Sequence, residues 1–304
     1  MSVKPLDRPE PIRLLLLRAL LKRSEKNLNA NESFATLPNT EHSAFYSQIR
    51  PAHIKEFHRV VSWPDQITEQ IHPCYLHIYA FPQHLNLMLE SDFPFSVLGI
   101  VHLQNRIEQF GKIDTNKVLE VSSRFGEIKP HPKGLSFSIK SSVRSIETEV
   151  WRSERSFLIR QPTINKSKAK LANEHANPNA LYTGSSPWHF SPKTSRSYAK
   201  ISGDYNPIHI HRLSAKLFGF KRAIAHGMWT LSCAVSAFVS HQEDSQSITV
   251  KEVNCRFKKP VFLPNDIHIQ QHCKTDTSAL LDVSDSDDSL VHLSASVAFN
   301  QCGI

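Results

Sequence analysis

The segment 203–209 gathers the residue types that acid–base chemistry needs, namely Gly203, Asp204, Asn206, Pro207 and His209. The Asn-Pro step predicts a turn, because the residue before a proline avoids the helical region. Gly203 permits an unusual backbone angle directly before Asp204. Such a turn presents a carboxylate and an imidazole toward one point, which is typical of a site that moves protons.

A second cluster, Ala225-His226-Gly227-Met228, follows after a short amphipathic stretch. Gly227 stands where a helix is expected to begin, and a glycine there lets a ligand approach the backbone closely. The free amides and the positive end of the helix dipole suit a developing oxyanion. Together the two clusters indicate water addition to, or loss from, carbons next to an activated carbonyl.

The elements that must hold these residues can be read from the second half of the chain. The segment 228–240 is apolar nearly all round and predicts a helix buried on most sides. Residues 212–218 predict a short helix that Gly219 ends. The strand-like runs that follow are 248–258, 267–274, 279–283 and 290–300. One buried helix followed by antiparallel strands indicates a sheet curled around that helix.

The first half repeats this order more weakly. A helix is expected after Pro82 within 75–89, and strand-like runs cover 96–110, 117–124, 135–143 and 147–159. Nothing equivalent to Asp204, Asn206 and His209 precedes this stretch. The chain is therefore expected to be an α+β protein with an N-terminal domain at 1–162, a linker at 163–187 and a C-terminal domain at 188–304, since 161–187 is polar and rich in turn formers.

Composition and charge limit the remaining classes. The 304 residues are 40% hydrophobic and carry a net charge of +8, which favours an anionic partner or simple solubility. Five cysteines without CxxC spacing predict neither a disulfide framework nor a zinc knuckle, and indicate a reducing, cytoplasmic setting. The stretch 11–26 predicts a basic amphipathic helix that is too short to span a bilayer; packing on the protein body is favoured over a membrane-surface role.

The residues SGDYNPIH and GFKRAIAHGM resemble the MaoC-like family of (R)-specific enoyl-CoA hydratases and 3-hydroxyacyl thioester dehydratases. The resemblance is strong over 198–228 and extends more loosely through RFKKPVFLPND to Pro264. It implies a double hot-dog fold, in which two antiparallel sheets are each wrapped around a central helix and the N-terminal half has lost its catalytic residues. It also implies interconversion of trans-2-enoyl and (R)-3-hydroxyacyl thioesters, without a metal or a redox cofactor.

The same resemblance implies roles for individual residues. Asp204 and His209 would hold the catalytic water and shuttle its proton to and from the α carbon. Asn206 would brace the loop, and the Gly227 amide would bind the thioester oxygen. Many relatives also carry a serine further along the buried helix, for which both Ser232 and Ser236 stay candidates.

The acyl group is expected to be attached as a thioester to coenzyme A or to an acyl-carrier protein. Five basic residues near the motif could contact its phosphates or an acidic carrier: Lys221, Arg222, Arg256, Lys258 and Lys259. Alternatively, Arg256, Lys258 and Lys259 are the solvated end of a strand, and Lys221 and Arg222 are a charge pair at a helix terminus. Two fold units in one chain could make a complete monomer, and a homodimer stays open.

Other functions are weighed against this one. A non-catalytic thioester-binding or partner subunit is the main alternative, and intact Asp204 and His209 argue against it. A thioesterase fits the loop pattern less well. A nucleic-acid or membrane-binding protein would use the positive charge, but no nucleic-acid motif is present. A metal at His209, His211, His226 and Asp204 lacks a supporting ligand motif.

Overall fold

The computed structural model describes residues 2–6, 11–22, 36–97, 99–160 and 184–301. The helices are α1 Ile12–Leu21, α2 Pro51–Val61, α3 His77–Leu89, α4 Pro192–Ser202, α5 Pro207–Ile210, α6 Arg212–Leu217 and α7 Gly227–Ser240. The strands are β1 Ser2–Leu6, β2 Thr40–Tyr46, β3 Val101–Gln109, β4 Leu119–His131, β5 Gly134–Ser145, β6 Thr148–Arg160, β7 Gly184–Phe190, β8 Ile248–Phe257, β9 Asn265–Thr275, β10 Ser278–Asp285 and β11 Val291–Gln301.

Two compact units divide the chain, and neither is one continuous segment. The first comprises Met1–Gln48, Leu76–Gln104 and Asp114–Ala172, and the second comprises Ile49–Tyr75, Asn105–Ile113 and Asn173–Ile304. The predicted domains at 1–162 and 188–304 were continuous, so the second unit takes two segments from the predicted first domain. Most of the predicted linker lies outside the described residues, and its last four residues, 184–187, are part of β7.

The first unit is a sheet that packs against α3. Its strands run in the order β1-β2-β4-β5-β6, with β1 parallel to β2 and the other pairs antiparallel. Helix α3 contacts β2, β4 and β5. Leucine and phenylalanine side chains fill the space between helix and sheet; among them are Leu85, Leu87, Phe93, Phe125 and Phe137.

The expected helix of the first half begins five residues before Pro82 rather than after it. Proline lacks an N–H, so Pro82 cannot donate to the carbonyl of Ile78 and the helix continues with that bond missing. Nearly all of α3 is buried, from His77 to Met88. Tertiary packing therefore overrides the local preference of proline to end a helix.

The basic N-terminal helix is shorter than the expected 11–26. It spans Ile12–Leu21, and residues 23–26 lie outside the described part of the chain. Leu15 is completely buried, whereas Leu14, Leu17 and Leu21 are exposed. Within the described ranges, no helix has both the length and the apolar character needed to cross a bilayer.

The second unit is an antiparallel sheet that packs against α7. Its strands run in the order β8-β11-β10-β9-β7, and α7 contacts β8, β9, β10 and β11. Every residue from Met228 to Val239 is buried, which confirms the predicted all-round apolar helix. The four predicted strands of this half are confirmed to within three residues at each end.

The segment Ile49–Tyr75 belongs to the second unit because α2 packs against α4 and α7. The Trp229 Nε1–H on α7 donates to the carbonyl of Val60, at 3.3 Å. The ring of Phe57 lies 6.3 Å from that of Tyr198 on α4. These contacts brace the helix that leads into the segment 203–209.

Gly203, where α4 ends, supplies the first stability prediction. Its φ of 74° is left-handed, and its N–H donates to the carbonyl of Ala199 at 2.9 Å. Gly203→Ala should lower the free energy of unfolding by about 1–2 kcal/mol, because a Cβ is disfavoured in this conformation. Urea unfolding measures the change. Gly111→Ala is the control, since Gly111 has open space around it and no positive φ; equal losses in both variants would contradict the prediction.

Candidate active site

The carboxylate of Asp204 is positioned by the turn that follows Gly203. Asp204 is half-buried, and its Oδ1 accepts the N–H of Asn206 at 3.1 Å. Asn206 caps α5, where its Oδ1 accepts the N–H of Ile208 at 3.4 Å and its carbonyl accepts the N–H of His209 at 2.9 Å. Asn206 thus ties the carboxylate to the helix that carries the imidazole, as a bracing residue would.

The imidazole of His209 on α5 is buried and contacts the segment that precedes α7. Its Nδ1 lies 2.8 Å from the carbonyl oxygen of Ile224. A carbonyl only accepts, so Nδ1 carries the proton and Nε2 keeps a free lone pair in the neutral ring. Burial lowers the pKa of His209, and the charge of Asp204 and the bond to Ile224 offset this only in part. His209 is therefore neutral at pH 7 and able to accept a proton at Nε2.

A second imidazole, that of His226, connects the parts of the site. Its Nε2–H donates to the carbonyl of Asp204 at 2.9 Å, and its Nδ1 lies 3.3 Å from the hydroxyl of Ser195. The ring stacks on that of His209, with 3.9 Å between centroids and 28° between planes. His226 is 2% exposed. His226 is thus a buried, hydrogen-bonded residue ahead of α7 that also contacts the ring of His209.

One carboxylate oxygen of Asp204 and one ring nitrogen each of His209 and His226 lie within 4.8 Å of one another. One carboxylate and two imidazoles could bind a divalent cation. The same spacing lets Asp204 and His209 share one water molecule, which fits proton transfer equally well. The absence of a catalytic metal stays a prediction.

Gly227 is the first residue of α7, as predicted. A Cβ on Gly227 would stand 2.8 Å from Cε1 of Phe257, so the ring leaves no space for a side chain. The amides of the first helical turn have no carbonyl partner within the helix, and the helix dipole makes this end positive. Gly227 thus offers a backbone donor beside the two imidazoles, since it directly follows His226.

The two serine candidates on α7 differ in their surroundings. Ser232 is completely buried and its hydroxyl donates to the carbonyl of Met228 at 2.7 Å. Ser236 is also completely buried, and no hydrogen bond of its Oγ is found among the described residues. At 1.5 Å per residue, Ser232 lies about 7.5 Å along the helix from Gly227 and Ser236 about 13.5 Å. A substrate contact of either residue stays a prediction.

The five basic residues are spread over the loop before α7 and the end of β8. Arg222 lies over the ring of Phe262 and lines a cleft of about 310 Å³ together with Asp285, Asp287 and His292. The N–H groups of Lys258 and Lys259 donate to the carbonyl of His292. The carboxylates make the cleft around Arg222 a poor phosphate site. Phosphate contacts of the five residues stay predictions: Lys221, Arg222, Arg256, Lys258 and Lys259.

Contacts from the segment Ile49–Tyr75 could not be predicted from the sequence. His53 Nε2–H donates to the carbonyl of Ile201, two residues before Gly203, at 3.1 Å. His72 Nε2–H donates to the carbonyl of Ser232 inside α7, at 3.1 Å. The partners are separated by 148 and 160 positions. No local periodicity or motif reports such a pairing.

Comparisons with known proteins find similarity to dehydratases and hydratases. Residues 174–283 match the family model described as MaoC like domain. The chain is 28% identical over 248 residues to 3-hydroxyacyl-thioester dehydratase X of Mycobacterium tuberculosis, covering 82% of this chain and 85% of the relative. It is 41% identical to the peroxisomal enoyl-CoA hydratase 2 of Arabidopsis thaliana over 63 residues, 21% of this chain and 20% of that protein.

Solved structures agree with this grouping. The crystal structure of HtdX of Mycobacterium tuberculosis superposes with a TM-score of 0.67 at 26% identity, covering 84% of this chain and 98% of that one. A MaoC-like dehydratase from Phytophthora capsici gives a TM-score of 0.73 at 18% identity, covering 90% and 98% of the two chains, and supports the fold alone.

His226 is expected to be a positioning residue. His226→Phe retains a ring that can stack on His209 but loses the hydrogen bond to the Asp204 carbonyl, so the loop should shift. Displacements of about 1 Å at a catalytic group can cost 100-fold in rate. We therefore expect kcat for an enoyl thioester to fall by about 10- to 100-fold while KM changes little. Steady-state kinetics check this. The control Ser195→Ala removes only the hydrogen bond between Ser195 and His226 Nδ1, so its kcat should fall less. A wild-type kcat for His226→Phe would contradict it.

Proposed function

We propose that the chain, whose residues 174–283 match the MaoC like domain, is a hydro-lyase that interconverts trans-2-enoyl and (R)-3-hydroxyacyl thioesters. The observation that carries the proposal is the meeting of the Asp204 carboxylate and the neutral His209 imidazole within 4.8 Å. Helix α7 begins at Gly227, directly after His226, whose ring stacks on that of His209. The stereochemistry is supported only by the family resemblance.

In the hydration direction, Asp204 and the lone pair of His209 Nε2 hold the attacking water. Its oxygen bonds to carbon 3 of the enoyl group, and its proton is passed by this pair to carbon 2. Negative charge collects on the thioester oxygen as the carbon–carbon double bond is lost. The Gly227 amide donates to that oxygen, and one such donor contributes about 3–4 kcal/mol in comparable sites. Dehydration follows the same steps in reverse.

The neutral state of His209 is central to this role. A protonated imidazole could not accept a proton from water, and burial disfavours the protonated form. The carbonyl of Ile224 fixes the tautomer that leaves Nε2 available. Asp204 keeps a second carboxylate oxygen for the water, since Oδ1 is used by the N–H of Asn206.

For the architecture, we propose a double hot-dog in which α3 and α7 are the two central helices. The packing of α3 on β2, β4 and β5 and of α7 on β8–β11 supports it. The second unit would carry the chemistry alone. A thioester of coenzyme A or of a carrier protein is the proposed substrate. The cytoplasmic location and a homodimer stay predictions.

The main alternative is a subunit that binds acyl thioesters without turning them over. The two hypotheses differ in one assay, hydration of crotonyl and longer enoyl thioesters followed by the loss of enoyl absorbance. Turnover supports the hydratase, and binding without turnover supports the alternative.

Removal of either catalytic group should nearly abolish turnover. Asp204→Asn and His209→Ala each lose one side of the acid–base pair, which typically contributes about 100- to 10,000-fold in rate. The hydration assay measures kcat, and circular dichroism checks the fold. Asp266→Asn is the control, since Asp266 is an exposed carboxylate that pairs with His189. Hydration at a near-wild-type rate in either catalytic variant would rule out the assigned roles.

The pH dependence should follow the lowered pKa of His209. Its free base is present above the folded-state pKa, so kcat/KM should hold as pH falls to about 6.5, the ordinary value, and drop only below it. In Asp204→Asn the loss of the neighbouring charge should move the His209 pKa lower still, which NMR titration of the ring proton measures. An acid limb centred above the ordinary value, or an upward shift in Asp204→Asn, would be inconsistent with this electrostatic account.

A further inference from the structure

Two leucines on α6 are exposed on one face of the helix. Leu213 is 62% exposed and Leu217 is 84% exposed, and residues four apart lie one turn above each other. Four exposed basic side chains belong to the same part of the chain: Arg212, Lys216, Lys221 and Arg222. We call these six residues the α6 patch.

The α6 patch is attached directly to the helix that carries His209. The hydroxyl of Ser214 on α6 donates to the carbonyl of Pro207 on α5 at 2.6 Å. The side chain of His211 caps α6 by accepting the N–H of Leu213 at 3.1 Å. The chain then returns to α5, where the N–H of Ile224 donates to the carbonyl of Ile208 at 3.1 Å. A partner on this surface would therefore sit beside the catalytic loop.

The positive charge of the α6 patch is offset at Arg222, which lines a cleft together with Asp285 and Asp287, whereas the sequence around the patch is free of acidic residues. The sequence contains no Asp or Glu from Tyr205 to Gln242. None of the four basic side chains forms an ion pair with a carboxylate of the described residues. Exposed leucines and exposed, positively charged side chains thus alternate along α6, at Arg212, Leu213, Lys216 and Leu217.

We propose that the α6 patch binds an acidic, helical carrier protein that delivers the acyl group on a flexible thioester arm. This inference rests on the proposed function and selects its carrier. Positive side chains beside exposed leucines complement an acidic protein surface that also carries apolar side chains, since charge steers the encounter and apolar contact holds it. Free coenzyme A offers phosphates for the basic residues but much less apolar surface than a protein to cover two leucines. A second copy of this chain would place one positive patch against another.

The test compares one enoyl group on three carriers: an acidic holo acyl-carrier protein, coenzyme A and N-acetylcysteamine. Leu217→Asp and Lys216→Glu should each lower kcat/KM for the carrier-protein thioester by about tenfold, mostly through KM. Rates with the N-acetylcysteamine thioester should not change, because neither side chain contacts the reacting atoms. Matched controls are Ile146→Asp, at a residue 71% exposed in the first unit, and Lys133→Glu, at another exposed lysine; both should behave like the wild type.

Equal losses on all three thioesters, or no loss with the carrier protein, would overturn the inference. A third outcome would also overturn it: Leu217→Asp leaves the rate with the carrier-protein thioester unchanged but alters another property of the protein. A change in sedimentation would point to a second copy of the chain, and a change in binding to phosphatidylserine vesicles would point to a membrane. Calorimetric titration with the carrier protein separates this inference from the proposed function. Carrier binding that Leu217→Asp removes, without turnover of any thioester, supports the α6 patch and refutes the hydratase.

Discussion

The stacking of two imidazole rings is the contact on which the candidate site depends. His226 lies 3.9 Å from His209 between ring centroids, donates to the backbone of Asp204 and directly precedes Gly227. One buried, rigid side chain thereby fixes the carboxylate, the base and the helix amide relative to one another. Because such a ring has few rotamers in a close-packed interior, the separation of these groups is set before a substrate arrives.

The backbone between Ala223 and Ala225 holds the other side of this arrangement. Leu263 N–H donates to the carbonyl of Ala223 at 2.8 Å, and Ala225 N–H donates to that of Val261 at 2.9 Å. The carbonyl of Ile224 between them is thus held toward His209 Nδ1. The sheet region that supports the loop therefore also selects the tautomer of the base, so fold and protonation state are linked through one peptide group.

Local patterns predicted much of the fold and most of the site. Helix α7, the strands β3–β6 and β8–β11, and the loop residues Asp204 and His209 all carry signals within a few neighbouring positions. Strand β7 was missed because it lies in a polar stretch at the edge of its sheet, with alternate residues exposed. The bond from His53 to Ile201 was missed because its partners are 148 positions apart. Helix α2 was missed although Pro51 at its first position is a local signal for a helix start. The role of His226 in the site follows from stacking, which spacing does not report.

The discontinuous second unit has a consequence for how the protein is made. Its segment Ile49–Tyr75 leaves the ribosome well before the strands and the helix α7 on which it packs, because synthesis runs from the N-terminus. Phe57 and Trp63, both buried in the finished fold, lack their later partners in the meantime. The nascent chain must keep these two aromatic side chains from aggregating until α7 and the strands β8–β11 have emerged, so assembly of the unit waits for them.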